Sequence, residues 1–364
     1  ALHACLSEGL GQLGQPLTRI HLLTLEPEHT ALIINVQVAL ADGWSVGVLA
    51  DELRRSYSSL AAGQRPDLPP LPIRFAEYAA WEREHLTGPT LVRLLDHWRE
   101  RLRGVAKLEL PSDHPRPTQL GDRGGVVPLP PLALADALNA LARAHDTTAF
   151  NVLLAAWQLL LAQLSGQSDI VVGTIVANRE RWQLEHVIGC LINLVPLRTD
   201  LSGDLTFARL LSRTKATTLA AFEHQATPFE AILDALAVPR EPSRRPLVSV
   251  LFMLQNAPGT QQLNQSFAPG LAAEALEAPD HVSRFDLGLS LRFTPAGLRG
   301  FIRYSTELFE PATAERIAHM YASLLDRAIA HPDRPLAQLV GESQHPELAS
   351  RQAAIRDSTI EVQQ

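Results

Sequence analysis

The residues best placed to do chemistry lie in one stretch, Gln37-Val38-Ala39-Leu40-Ala41-Asp42-Gly43-Trp44-Ser45. An apolar run, Ala31-Leu-Ile-Ile-Asn-Val36, precedes it and reads as a buried strand. Residues 46–60 follow it with helical spacing. The stretch therefore falls where a strand ends and a helix begins, a common place to build a site. Gly43 has no side chain, so an extended substrate arm can approach the backbone there. Gln37 can hydrogen-bond but is no base at neutral pH, and Val38 offers neither a proton acceptor nor a donor. Val38 continues the pattern of Ile33, Ile34 and Val36 and reads as a strand residue.

The elements that must position this stretch are legible from periodicity. Strands are predicted over 18–25 and 30–38, with Glu28-His29 at the turn. Pro66, Pro69, Pro70 and Pro72 stop the helix that follows, because proline lacks the amide donor. Helices are predicted over 75–85 and 91–102. Residues 104–131 hold six prolines and, after Gly104, three more glycines, and read as an irregular crossing segment. Further helices are expected over 133–145, 150–164 (capped by Thr147 or Thr148), 207–222, 229–236 and 312–330. Strands are expected over 169–176, 191–197, 247–254, 282–291 and 298–304. Beyond Pro335 the pattern fades, and residues 341–364 read as a polar linker. Alternating strands and helices imply an α/β or α+β layered fold.

Composition narrows the class. The chain has 364 residues, 46% hydrophobic, which is ample for a core. A net charge of −7 argues against a nucleic-acid-binding surface. No apolar run of about 18 residues suggests a membrane span, and no secretory signal is visible. The two cysteines, Cys5 and Cys190, lie far apart and outside Cys-x-x-Cys spacing, which fits a reducing, cytoplasmic setting and gives no metal site.

Seven segments in order make the chain resemble the condensation domains of nonribosomal peptide synthetases. Asp42-Gly43-Trp44-Ser45 resembles the end of that family's His-His-x-x-x-Asp-Gly motif, with Gln37 and Val38 where the two histidines stand. The others are Phe75-Ala-Glu-Tyr78-Ala-Ala-Trp81, Leu110-Pro-Ser-Asp113-His-Pro115-Arg-Pro117 and Asp169-Ile-Val-Val-Gly173 continuing to Arg179. Ile188-Gly189 with Asn193 and Arg198, His224-Gln225 with Pro228-Phe229-Glu230, and Ser243-Arg244-Arg245-Pro246-Leu247 complete the series. Two motifs that open such domains have no counterpart here, so the first lobe is expected to be incomplete.

The resemblance implies two chloramphenicol-acetyltransferase-like lobes in a V with a tunnel between them. The corresponding division is a partial first lobe over 1–105, a crossover over 106–131, a second lobe over 132–340 and a linker over 341–364. It implies amide formation between a donor thioester and an acceptor amine. Each would be carried on the phosphopantetheine arm of a partner carrier protein, with neighbouring synthetase domains and no cofactor bound by the domain itself. The catalytic positions would be Gln37, Val38, Asp42 and Gly43; Trp44, Ser45, Asn193, Arg284 and Asp286 would line the substrate path. Asp42 usually pairs with an arginine in this family, and that partner is expected in the missing front segment. Asn193 would either line the tunnel or satisfy backbone groups, and His224 reads as a capping or packing residue. Because Val38 replaces the histidine that accepts or orients the amine proton, activity is expected to be impaired. One alternative is a non-catalytic module that docks carriers or recruits a modifying enzyme. A lesser one is a heterocyclisation domain, whose Asp-x-x-x-x-Asp-x-x-Ser fits Asp42 and Ser45 but not Gln37.

Overall fold

The computed structural model describes residues 16–255, 266–268, 270–274, 276, 282–295 and 297–340. Cys5 and the expected linker over 341–364 lie outside them. The chain gathers into two compact units that interleave in sequence. The first takes Ala1–Thr87, Ala177–Ile192 and Ala257–Pro279; the second takes Gly88–Val176, Asn193–Asn256 and Asp280–Gln364. This differs from the linear succession drawn from the sequence, because two later segments return to the first unit.

In the first unit, β1 (Thr18–Glu26) and β2 (His29–Val36) form an antiparallel hairpin in which Ile20 faces Ile34 and Leu22 faces Leu32. The run expected to be wholly buried instead alternates: Ala31 and Ile33 are buried, whereas Leu32 is exposed. A two-stranded hairpin buries one face at most, so alternation is what its geometry permits. Helix α1 (Gly43–Ala61) follows, then α2 (Phe75–His85). The short strands β7 (Ser266–Ala268) and β8 (Leu271–Ala272) come from far along the chain, and β7 packs on α1. Ser58 donates its hydroxyl to the Phe267 carbonyl there. The apolar centre of this unit is small: Tyr78, Leu184, Val187 and Leu191, backed by Ile73, Phe75 and Trp81.

The second unit is built on a six-stranded mixed sheet of order β3-β10-β9-β6-β4-β5. Its strands are β3 (Gly124–Pro128), β4 (Asp169–Val176), β5 (Asn193–Asp200), β6 (Val250–Gln255), β9 (Leu287–Thr294) and β10 (Gly297–Ser305). Strand β6 runs parallel to β4 and β9, and the other neighbours are antiparallel. Helices α3 (Gly88–Arg101), α4 (Ala135–Ala144), α5 (Ala149–Ser165), α6 (Phe207–Glu223), α7 (Phe229–Ala235), α8 (Pro311–Ala330) and α9 (Leu336–Val340) complete it. Helix α5 is apolar nearly all round, the mark of a helix buried on every side. It packs against α4, α6, α8, α9 and β4. Thr148 caps its start by accepting from the Asn151 amide at 3.3 Å, and Gly166 at φ +70° ends it.

Several boundaries differ from expectation. The segment 104–131 is not wholly irregular, since β3 within it forms the sheet edge beside β10. Strand β6 starts at Val250, after Pro246 and a Leu247 at φ +63° that breaks extended geometry. Strand β9 starts at Leu287, and β5 at Asn193. Helix α9 lies where the pattern had faded. Among the described residues, no single helix is long and apolar enough to cross a membrane.

Candidate functional site

Strand β2 ends at Val36, so Gln37 and Val38 lie off the strand, which corrects the reading of Val38 as a strand residue. The Gln37 amide donates to the Leu17 carbonyl at 3.0 Å, and the Leu40 amide closes a turn on the Gln37 carbonyl at 2.9 Å. That turn leaves Val38 46% exposed, an aliphatic side chain that neither donates nor accepts a proton.

Four residues on, Asp42 caps α1. Its Oδ1 accepts from the Ser45 amide at 2.8 Å and from the Ser45 hydroxyl at 2.8 Å. A side-chain acceptor satisfies one of the amides left open at a helix start. Asp42 Oδ2 also accepts from the Leu191 amide at 3.1 Å. Its ionic partner is Arg179, whose Nη2 lies 3.0 Å from Oδ1 and 3.1 Å from Oδ2. The expectation that this partner belongs to a missing front segment is therefore overturned. Arg179 stands three residues past the end of β4, after Asn178 (φ +52°), and belongs to the first unit.

Arg179 organises the segment after it. Its Nη1 donates to the carbonyls of Leu184 at 2.6 Å and Val187 at 2.7 Å, and its Nη2 also reaches Ser45 Oγ at 3.1 Å. Ser45 and Gly189 are tied as well: the Gly189 amide lies 3.1 Å from Ser45 Oγ, and its carbonyl lies 2.9 Å from that oxygen. The close approach requires glycine, because a Cβ at Gly189 would stand 2.3 Å from the Phe75 ring. Trp44 Nε1 donates to the Glu185 carbonyl at 2.9 Å, and the Arg179 guanidinium lies 5.7 Å from the Trp44 ring. The polar atoms of Trp44 and Ser45 are thus used inside this network. Gly43 is exposed, and a Cβ built there would meet nothing within 4 Å. Nearby, Tyr78 donates to Glu82 Oε1 at 2.8 Å and accepts from Asn178 at 3.1 Å. Burial first, then the Glu82 carboxylate, pushes the Tyr78 phenol well above its ordinary range.

The remaining expected site residues belong to the second unit. Asn193 Nδ2 donates to the carbonyls of Gln225 at 2.8 Å and Thr227 at 2.7 Å, and its Oδ1 accepts from the Phe229 amide at 3.1 Å. Of its two readings, this geometry fits the satisfaction of backbone groups. Asp286 is buried and paired with Arg116, at 2.6 Å from Nη2 and 3.2 Å from Nη1. Arg116 also donates to the Ser243 carbonyl at 3.2 Å, so two of the motif segments meet there with Asp286. Arg284 is exposed. Asp113, from the same proline-rich motif as Arg116, caps α8 by accepting from the Glu310 amide at 2.9 Å. His224 ends α6, with Nδ1 2.9 Å from the Ala220 carbonyl, as a capping and packing residue would.

Arg179 and Arg116 stand inside motifs whose local pattern assigns neither of them a role. The signal available was that charged side chains are buried only when paired. Among the described residues, no group of histidines, cysteines and carboxylates is arranged to hold a metal.

A mixed-sheet unit joined in sequence to a smaller one, with an Asp-Gly-Trp-Ser loop locked by an arginine, defines a class. The family model for the condensation domain matches residues 7–348, and the chain belongs to that family. One polypeptide of the linear gramicidin synthase of Brevibacillus parabrevis is 41% identical over 333 residues, which is 89% of this chain and 4% of that protein. Phosphinothricin tripeptide synthetase PhsB of Streptomyces viridochromogenes is 34% identical, over 95% of this chain and 29% of its own length. The chain thus spans only a small part of these relatives. Among solved structures, the X-domain from teicoplanin biosynthesis superposes with a TM-score of 0.81 at 27% identity, covering 89% of this chain and 74% of that one. A complex of the X-domain and OxyB from the same biosynthesis matches at TM-score 0.82 and 27% identity, over 93% and 76%.

Proposed function

We propose that this condensation domain descends from catalysts of amide formation between carrier-bound partners and now works without a histidine base. In that reaction an acceptor amine attacks the donor thioester carbonyl. The tetrahedral oxyanion collapses, the carbon–sulfur bond breaks, and the amine's proton passes to the departing thiolate. Both groups ride on phosphopantetheine arms of carrier proteins, so alignment does much of the work; effective molarities reach roughly 10⁵ M or more. Gly43 leaves the backbone open to such an arm. One observation carries the reading. The scaffold of Asp42, Ser45, Arg179 and Gly189 is complete, while the base position holds Val38. Loss of a general base lowers the rate about 10²–10⁴-fold.

The test is single-turnover amide formation with loaded donor and acceptor carriers, followed by intact mass. We expect slow product from the chain as it stands and a gain of about 10²–10⁴ from Gln37→His/Val38→His. Absence of product from both, with both folded, would overturn this reading.

The X-domain–OxyB complex favours a second reading, a docking module that recruits a modifying enzyme. Gly43→Trp, with folding checked by thermal unfolding, separates the two, since a Cβ at Gly43 would meet nothing within 4 Å. Docking alone predicts unchanged product from the whole synthetase; passage of an arm over Gly43 predicts a drop.

A further inference from the structure

Two histidines outside the motif loop stand face to face in the second unit. His97 lies in the last turns of α3, and His224 ends α6. Their ring centroids are 3.7 Å apart, with planes inclined by 6°. The indole of buried Trp98 meets His97 edge-on at 5.2 Å. The carbonyl of Ala220 only accepts, so His224 Nδ1 carries the ring proton in the neutral form. His97 Nε2 is buried with no hydrogen-bond partner.

This geometry suits a neutral His97. A protonated His97 would bury an N–H without an acceptor, which is costly. It would also set a cation against a second imidazole and near Arg101. Glu100 on α3 and Glu223 on α6 pull the other way. The acids of α7, Glu230 and Asp234, are engaged by Arg240. Burial is the largest effect, and together with His224 and Arg101 it holds the His97 imidazole below its usual range.

The pair sits at the head of a tied turn. The His224 carbonyl accepts from the Thr227 amide at 3.1 Å and the Thr227 hydroxyl at 2.9 Å. Asn193 holds the rest of the turn through Gln225, Thr227 and Phe229. We propose that the His97–His224 stack is an acid-released joint. It fastens α3 to the α6–α7 turn while His97 is neutral, and it frees that turn when His97 takes up a proton. The sign follows from linkage: a histidine whose folded form resists protonation contributes stability above its unfolded pKa, and this is lost as pH falls from about 6.5.

Peptide-resolved hydrogen exchange at about pH 7.5 and about pH 5.5, corrected for chemical exchange, tests the joint. We expect residues 222–230 to open more at the lower pH, by up to about tenfold, the limit set by a pH one unit below the unfolded value, with β4 and α5 unmoved. His97→Phe keeps a flat ring against His224 but cannot titrate, and should be equally protected at both pH values. No acid response in the unaltered chain, or the same response in the variant, overturns the proposal. If the variant does not fold, an imidazole proton titration of the unaltered chain decides. A His97 midpoint below about 6.5 upholds the joint, and one at or above it overturns it.

Discussion

The two units each bury an aspartate against an arginine, and the contrast between the pairs shows how each unit is held. Asp42 and Arg179 are 0% and 1% exposed, and the guanidinium also bonds three carbonyls of the loop 184–189. Asp286 and Arg116 are 2% and 19% exposed and lie beside a sheet with an extensive apolar core. The first unit has little core around its motif loop, so a polar network carries the loop's shape. In the second unit the core carries the fold, and the pair pins a connector to it. A broken buried pair leaves an uncompensated charge, and the penalty grows with burial.

Arg179→Ala should have the largest effect. Leaving Asp42 buried and alone should cost about 3–5 kcal/mol. In a denaturant titration followed by hydrogen exchange, residues 42–47 and 184–191 should lose protection before β4 and β9 do. If both units fail together, the contrast between them is wrong. Arg116→Ala should cost less, about 2–3 kcal/mol, because it removes charge-assisted hydrogen bonds at a partly exposed site. Its effect should appear as loss of protection over 113–117 with α5 intact. A shift equal to that of Arg179→Ala would erase the distinction.

Gly189→Ala should destabilise the motif loop by about 1–3 kcal/mol through overpacking on Phe75. Adding Phe75→Leu should recover part of that loss in thermal unfolding. Absence of recovery would mean that the clash is not the cause. The smallest effect is expected from Thr148→Ala, which removes a helix cap from an already well-packed α5. It should cost about 1 kcal/mol without touching the motif loop.

Much of the architecture was legible locally. Helix α2 and strand β4 fall on their predicted spans, since their spacing and flanking prolines or turn residues are local signals. The Thr148 cap was readable for the same reason. Strand β3 was not, because Gly124-Gly125-Val-Val-Pro128 looks like loop until β10 pairs with it. Gly125 admits that neighbour, since a Cβ there would meet the Tyr304 ring at 2.4 Å, while a Cβ at Gly124 would meet the Ser283 amide at 2.6 Å. The exposure of Val38 was also hidden, because the apolar pattern of β2 runs on past the residue where its pairing stops.

Residue types alone were enough for most of the element order, for the family through seven ordered motifs, and for the absence of a histidine at positions 37 and 38. These are properties of residue type and short spacing, which survive without coordinates. The folded chain was needed to bring Asp42 to Arg179, 137 positions away, Arg116 to Asp286, and His97 onto His224. Each of those pairings depends on how long loops close, and a guanidinium or an imidazole carries no mark of its partner until the backbone brings the two into a space too dry for either to stand alone.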